Sequence, residues 1–227
     1  MSLKPPKKSD LSKSWMKPKP DRGLKLQPEY HLIVSEGTDT EPAYFEAIRD
    51  IINRQYREKI QLSVLGAGDN TIGLFQKAKQ RAAENVNIYR HIWVVYDTDD
   101  FPAEHIGRVV ELCRENSTEE TEYHAVWSNQ CVELWYLLHF SYMQSDIHRT
   151  EYWSKLSGWL TGIGAGAYEK NRRDMYQILR PYMDFAIANA KRLNAVNQGK
   201  VPSKSAPGTK IYELVEKLKP YLEEEVI

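Results

Sequence analysis

The run His91-Ile92-Trp93-Val94-Val95-Tyr96 constrains this chain most, because it leads into Asp97-Thr98-Asp99-Asp100. Apolar and aromatic residues in succession, without alternation, describe a strand buried on both faces, as in a parallel sheet covered by helices. Three carboxylates within four positions follow. Asp97 and Asp99 are two apart, so their side chains project to one side if extended geometry continues that far. In open α/β sheets ligands bind beyond the carboxyl ends of the strands. Carboxylates this close raise one another's pKa unless a cation lies between them. Oxygen-only ligands of this kind suit Mg²⁺ or Mn²⁺. Asp100 also serves as a cap for a helix beginning at Phe101-Pro102-Ala103-Glu104. Capping accounts for one Asp; three are harder to explain that way.

The 227 residues suffice for one good-sized core, or a core with a small helical extension. Hydrophobic content of 41% and charged content of 27% are those of an ordinary globular protein. Net charge is zero, so the whole-molecule field selects no partner, but residues 1–26 carry seven Lys and one Arg against Asp10 and Asp21. With Pro5, Pro6, Pro18 and Pro20 and little to bury, that segment reads as a disordered basic tail, either a nucleic-acid contact or a solubilising leader. Cys113 and Cys131 imply no disulfide framework and read as buried thiols; neither has a CxxC partner or a His at zinc-ligand spacing. No apolar run is long enough to cross a bilayer, and no signal-peptide core is visible, so a reducing cytoplasm is the expected compartment.

Four strand-then-helix units follow in order. Tyr30–Val34 is a strand ending in Ser35-Glu36-Gly37, and Thr40 or Asp39 caps a helix with Pro42 in its first turn. Ile60–Leu65 is a second strand, and the loop Gly66-Ala67-Gly68-Asp69-Asn70-Thr71 opens a helix reaching to about Tyr89. That loop lacks the Gly-Lys-Ser/Thr of a P-loop, and a tight strand-to-helix turn explains it. After the His91–Tyr96 strand, a helix over about 102–115 presents Ile106, Val109, Val110 and Cys113 inward. Tyr123–Trp127 is a fourth strand, and Ser128-Asn129 opens an apolar helix through Phe140. The absence of hairpin signals predicts a parallel, three-layer sheet of about four strands with right-handed crossovers. Beyond Ser141 the pattern is helical, with a glycine-rich loop Gly162–Gly166, helices over about 174–192 and 210–222, and a polar, mobile loop between Gly199 and Gly208.

Four acids share one address in this reading. Glu36 follows strand one, Asp97 and Asp99 follow strand three, and Glu133 opens the helix after strand four. If strands one and three are neighbours, Glu36 lies beside the Asp pair, about 4.8 Å away strand to strand. Glu133 is a charge inside an apolar helix, costly unless paired, although an acid near a helix N-terminus is favoured by the dipole. Glu36 alone could be a capping acid.

Leu32-Ile33-Val34-Ser35-Glu36-Gly37 with Glu41-Pro42-Ala43-Tyr44-Phe45, then Val95-Tyr96-Asp97-Thr98-Asp99, then Ser128 through Phe140 around Glu133, together resemble the RloB family. Tyr168-Glu169-Lys170 and Ala206-Pro207-Gly208-Thr209 extend the likeness over roughly 28–220. The family usually has Pro where Gln130 stands and an aromatic where Val132 stands. Its members are encoded in bacterial restriction and abortive-infection loci, and they in turn resemble the Toprim fold of topoisomerases, primases and related nucleases. The resemblance implies a Toprim-like, Rossmann-like α/β domain over 27–140 with a helical extension over 141–227 packed on it. It also implies Mg²⁺ held by Glu36 in the Glu role and by Asp97 and Asp99 in the Asp-x-Asp role.

The leading expectation is a metal-dependent nuclease acting on RNA or DNA in anti-phage defence. Glu36, Asp97, Asp99 and Asp100 are the candidate metal ligands, with Glu133 a further ligand or an orienting group. Lys170, Arg172, Arg173 and Lys204 are candidate phosphate contacts, although solvated surface is the stronger explanation for each. Val95-Tyr96-Asp97-Thr98-Asp99 also resembles the Asp-x-Asp nucleophile strand of haloacid-dehalogenase-like phosphatases, a motif that normally ends the first strand rather than the third. A third reading is a non-catalytic sensor or a subunit serving a defence ATPase, since the chain has no Walker motif of its own. Self-association is compatible with all three.

Overall fold

The computed structural model describes residues 27–98 and 102–223. The basic tail read over 1–26 and the acids Asp99 and Asp100 lie outside the described residues. Five strands form one sheet: β1 (Glu29–Ser35), β2 (Ile60–Gly66), β3 (Tyr89–Asp97), β4 (Glu122–Asn129) and β5 (Gly208–Thr209), in the order β2-β1-β3-β4-β5. The first four are parallel, and β5 pairs antiparallel with β4. The helices are α1 (Thr40–Gln55), α2 (Thr71–Ala83), α3 (Ala103–Asn116), α4 (Glu133–Leu138), α5 (Arg149–Gly162), α6 (Met175–Leu179), α7 (Met183–Val196) and α8 (Ile211–Leu218).

The unbroken apolar runs of β1 and β3 are buried because each sheet face meets its own helical layer. Leu32, Val34, Ile92, Val94 and Tyr96 pack against Leu74 and Phe75 of α2 and Ile106 and Val109 of α3. The alternate residues Ile33, Trp93, Val95 and Val126 join a larger cluster with Tyr44, Phe45 and Ile48 of α1 and with α4 to α8. Trp135 of α4 is fully buried there, and its Nε1–H donates to Tyr44 Oη at 3.0 Å. The helical part after residue 141 therefore shares one core with one face of the sheet.

Four local expectations are corrected. α2 stops at Ala83 rather than near Tyr89, where the Asn85 side chain accepts the Asn87 N–H at 3.0 Å and turns the chain before β3. Val110 is 38% exposed, off the buried stripe of α3. The helix expected over 174–192 divides at Pro181 into α6, a 3-10 turn Arg180–Tyr182 and α7, since proline has no N–H to give and its ring collides with the preceding turn. The polar segment 199–208 contains a 3-10 turn, Pro202–Lys204, and ends in β5. There Thr209 Oγ1 and Ser128 Oγ lie 2.8 Å apart, and Asn197 Nδ2 donates to Pro207 O at 2.9 Å.

Candidate metal and phosphate site at the carboxyl rim

Strand order decides where the acids fall. β1 and β3 are adjacent and in register from His31↔His91 to Ser35↔Val95, so the residues that leave them emerge side by side. Glu36 N–H donates to Val95 O at 2.9 Å, and the Glu36 carboxylate returns to accept Asp97 N–H at 3.2 Å. β2 lies on one side of β1 and β3 on the other, so the chain reverses its winding at this gap, the place where α/β sheets open a crevice. Gly37 makes the turn into α1, and a Cβ there would collide with the Glu41 carboxylate.

A cavity of about 570 Å³ opens at this point. Glu36, Asp97, Glu133 and Lys170 all line it, together with Arg149 and Trp153. Glu133 is 3% exposed, which an unpaired carboxylate could not tolerate. Its Oε1 accepts Tyr168 Oη–H at 2.8 Å and Trp153 Nε1–H at 3.1 Å. These two donors explain how a charge sits inside an apolar helix. Burial, and then the Glu133 charge, drive the Tyr168 phenol well above its ordinary pKa. Burial drives the Cys131 thiol upward as well, with the charges of Glu133 and Asp97 adding to it. Cys131 is therefore a protonated thiol at neutral pH, without the thiolate that nucleophilic chemistry needs.

Lys170 Nζ stands 5.9 Å from the centre of the Trp153 ring, a cation–π position at the cavity wall. The next residue, Asn171, has φ of 70° and accepts Thr40 Oγ1–H at 2.8 Å, which ties this loop to the start of α1. A second hollow of about 310 Å³ lies beyond the ends of β3 and β4, lined by Thr98, Gln130, Asp146 and His148 among others, and it shares Arg149 with the first. Gln130 Oε1 accepts Arg149 N–H at 2.9 Å, fixing where α5 begins. Thr98 Oγ1 is buried with no hydrogen-bond partner among the described residues.

The structure thus brings Glu36, Asp97, Glu133 and Lys170 to one cavity. Arg172, Arg173 and Lys204 do not line it. Arg172 is held by Asp174, with Nε to Oδ1 at 2.6 Å and Nη2 to Oδ2 at 3.0 Å, while Arg173 and Lys204 are exposed elsewhere. Arg149, Trp153 and Asn171 were not singled out in the sequence for this site. For Arg149 no local signal exists, since it is a basic residue at a helix start, where the dipole favours acids.

Among the described residues, Glu36, Asp97 and Glu133 do not bring three ligand atoms within 4.8 Å of one another. An all-protein cage of the kind Zn²⁺ favours is thus not formed by these three. The oxygen donors do fit Mg²⁺, which keeps several waters and takes only one or two carboxylates from the protein.

A family model described as RloB-like protein matches residues 31–218, spanning both the sheet and the helices after it. No curated protein matches the chain, and no solved structure matches it.

Proposed function

We propose that this chain, which belongs to the RloB-like family, is a Mg²⁺- or Mn²⁺-dependent nuclease that hydrolyses phosphodiesters of RNA or DNA in the cytoplasm, in anti-phage defence. The observation that carries the proposal is the meeting of Glu36 and Asp97 at the β1–β3 gap, in one cavity with Lys170 and Arg149. Five carboxylates, Glu36, Asp39, Glu41, Asp97 and Glu133, line that cavity against two cationic side chains, a negative excess that suits a divalent cation and, with it, a phosphate. The Toprim likeness of the Glu36 and Asp97-Thr98-Asp99 motifs supports the same reading.

Glu36 and Asp97 would hold the ion, with Asp99 completing the set. The ion supplies charge neutralisation at the scissile phosphate and a water of lowered pKa. Lys170 and Arg149 would orient the phosphate from the cavity wall, and the hollow past Thr98 would take the neighbouring nucleotide. Glu133, held by Tyr168 and Trp153, acts as a positioning residue, since those bonds fix α4 and α5 against the cavity.

The test is cleavage of end-labelled single-stranded RNA, tRNA and duplex DNA by the full chain with Mg²⁺ or Mn²⁺. Wild type is expected to cut at least one substrate, and Glu36→Gln and Asp97→Asn to leave it intact. Undiminished cleavage by either variant would remove the assigned roles.

A further inference from the structure

The opposite ends of the same strands carry a second cluster. His31 of β1, His91 of β3 and His124 of β4 point to one face of the sheet, with Glu29 and Glu122 at its edge. Two overlapping groups place ligand atoms within 4.8 Å of one another: Glu29, His31 and His91, and then His91, Glu122 and His124. His91 and Asp97 are six steps apart along β3, about 20 Å of extended chain. The cluster is thus distinct from the carboxyl rim.

Hydrogen bonding distinguishes the two groups. Trp93 Nε1 can only donate, and it lies 3.4 Å from His31 Nδ1, which must accept. His31 Nε2 therefore carries the proton and donates to Glu29 Oε1 at 2.7 Å. Both nitrogens of His31 are occupied, which leaves no lone pair for an ion. In the second group His91 Nδ1 faces His124 Nε2 at 2.9 Å. Glu122 Oε2 lies 3.5 Å from His91 Nδ1 and 3.8 Å from His124 Nε2. A tetrahedral site with bonds near 2.0–2.1 Å has ligand-to-ligand edges of about 3.3 Å, within the range those three distances span.

We propose that His91 Nδ1, His124 Nε2 and Glu122 Oε2 form a Zn²⁺-class transition-metal site at the amino rim of the sheet, with its fourth position open to solvent. Two neutral imidazoles and a carboxylate suit a borderline ion such as Zn²⁺, Co²⁺ or Ni²⁺ rather than Mg²⁺. The surroundings are those of a ligating set. Glu29 Oε1, which accepts the His31 proton, also lies 3.6 Å from His91 Nε2, a negative charge on the side of His91 away from Nδ1. Arg90 Nη2 holds the other oxygen of Glu122 at 2.8 Å. The His124 ring stacks on Trp93 with centroids 4.0 Å apart, which fixes its orientation. Lys217 and Glu213 of α8 are the other charges that face the cluster, and with Glu29 and Glu122 the carboxylates outnumber the cations.

The test is a Co²⁺ titration of the untagged full chain, read by visible d–d absorption and then by competition with Zn²⁺. One equivalent with the intense bands of a four-coordinate nitrogen–oxygen site is expected. His124→Phe, which keeps the stacking ring, should abolish these bands, as should Glu122→Gln, whose side chain is 40% exposed and tolerant of change. Arg90→Ala should weaken Co²⁺ by roughly 10–100-fold as an outer-shell change. Asp97→Asn should leave the bands intact. Absence of the bands in wild type, or their persistence in His124→Phe, would overturn the site and reduce the His91–His124 contact to a simple hydrogen bond. Loss of the bands in Asp97→Asn with retention in His124→Phe would assign the ion to the other rim and equally overturn it.

Discussion

Strands β1, β3 and β4 carry an imidazole near one end, and at or beyond the other they lead to the carboxylates Glu36, Asp97 and Glu133. At the carboxyl rim, Glu36, Asp97 and Glu133 line an open cavity, and the buried Glu133 is held by two donors, Tyr168 and Trp153. At the amino rim, His31, His91 and His124 are closed against Trp93. Burial is tolerated there because a ring can shed its proton and become neutral, an option that a carboxylate takes less readily at neutral pH. The comparison teaches that parallel register delivers a cluster at each end, while the donor atom decides which class of cation each end can hold.

The sharpest way to break the comparison is at Asp97. Metal-ion charge stabilisation is worth several kcal/mol, so Asp97→Asn is expected to lower cleavage at least about 100-fold, with the thermal midpoint and the amino-rim Co²⁺ bands unchanged. A single-turnover assay on the full chain checks it. Next is the asymmetry of burial. Glu133→Ala strips the partner from one buried donor, Tyr168, and from the half-exposed Trp153, and is expected to cost about 2 kcal/mol, against about 1 kcal/mol or less for His124→Phe. Urea unfolding with unchanged m-values would read both.

The third expectation is a pH dependence located at the imidazoles. Burial holds His91 down at about 3 and His139, fully enclosed in the core, at about 4, from an ordinary value of 6.5. The unfolded chain takes up these protons as pH falls through 6.5, while the folded chain does not until far lower. Stability is therefore full above 6.5 and declines between about 6.5 and 4. His139→Gln should flatten that decline in urea midpoints measured across this range, and Asp97→Asn should not. The smallest effect belongs to Lys170→Ala. Nucleic-acid affinity should fall modestly for every sequence alike, and the slope of log K against log salt should shrink by about 1.

Much of the carboxyl rim was legible in the sequence because each part of it is local. An unbroken apolar run announces β3, and the acids follow it directly. The adjacency of β1 and β3, on which Glu36 depends, was a condition the sequence left open, and the strand order meets it. Other features were not legible. β5 is two residues long, too short for any periodicity, and exists because Ser128 and Asn129 offer it an edge. His31, His91 and His124 belong to no motif and are separated by whole helices; only strand register collects them. Lys170 and Arg172 are two residues apart and looked equivalent, yet one faces the cavity over Trp153 and the other is neutralised by Asp174.

The most direct test of the central claim is Mn²⁺ binding to the full chain, followed by electron paramagnetic resonance as the free-ion signal is lost. Wild type and His124→Phe are expected to bind Mn²⁺ alike, while Glu36→Gln and Asp97→Asn lose that binding. Equal Mn²⁺ uptake by Asp97→Asn and wild type would contradict a hard-cation site at the ends of β1 and β3.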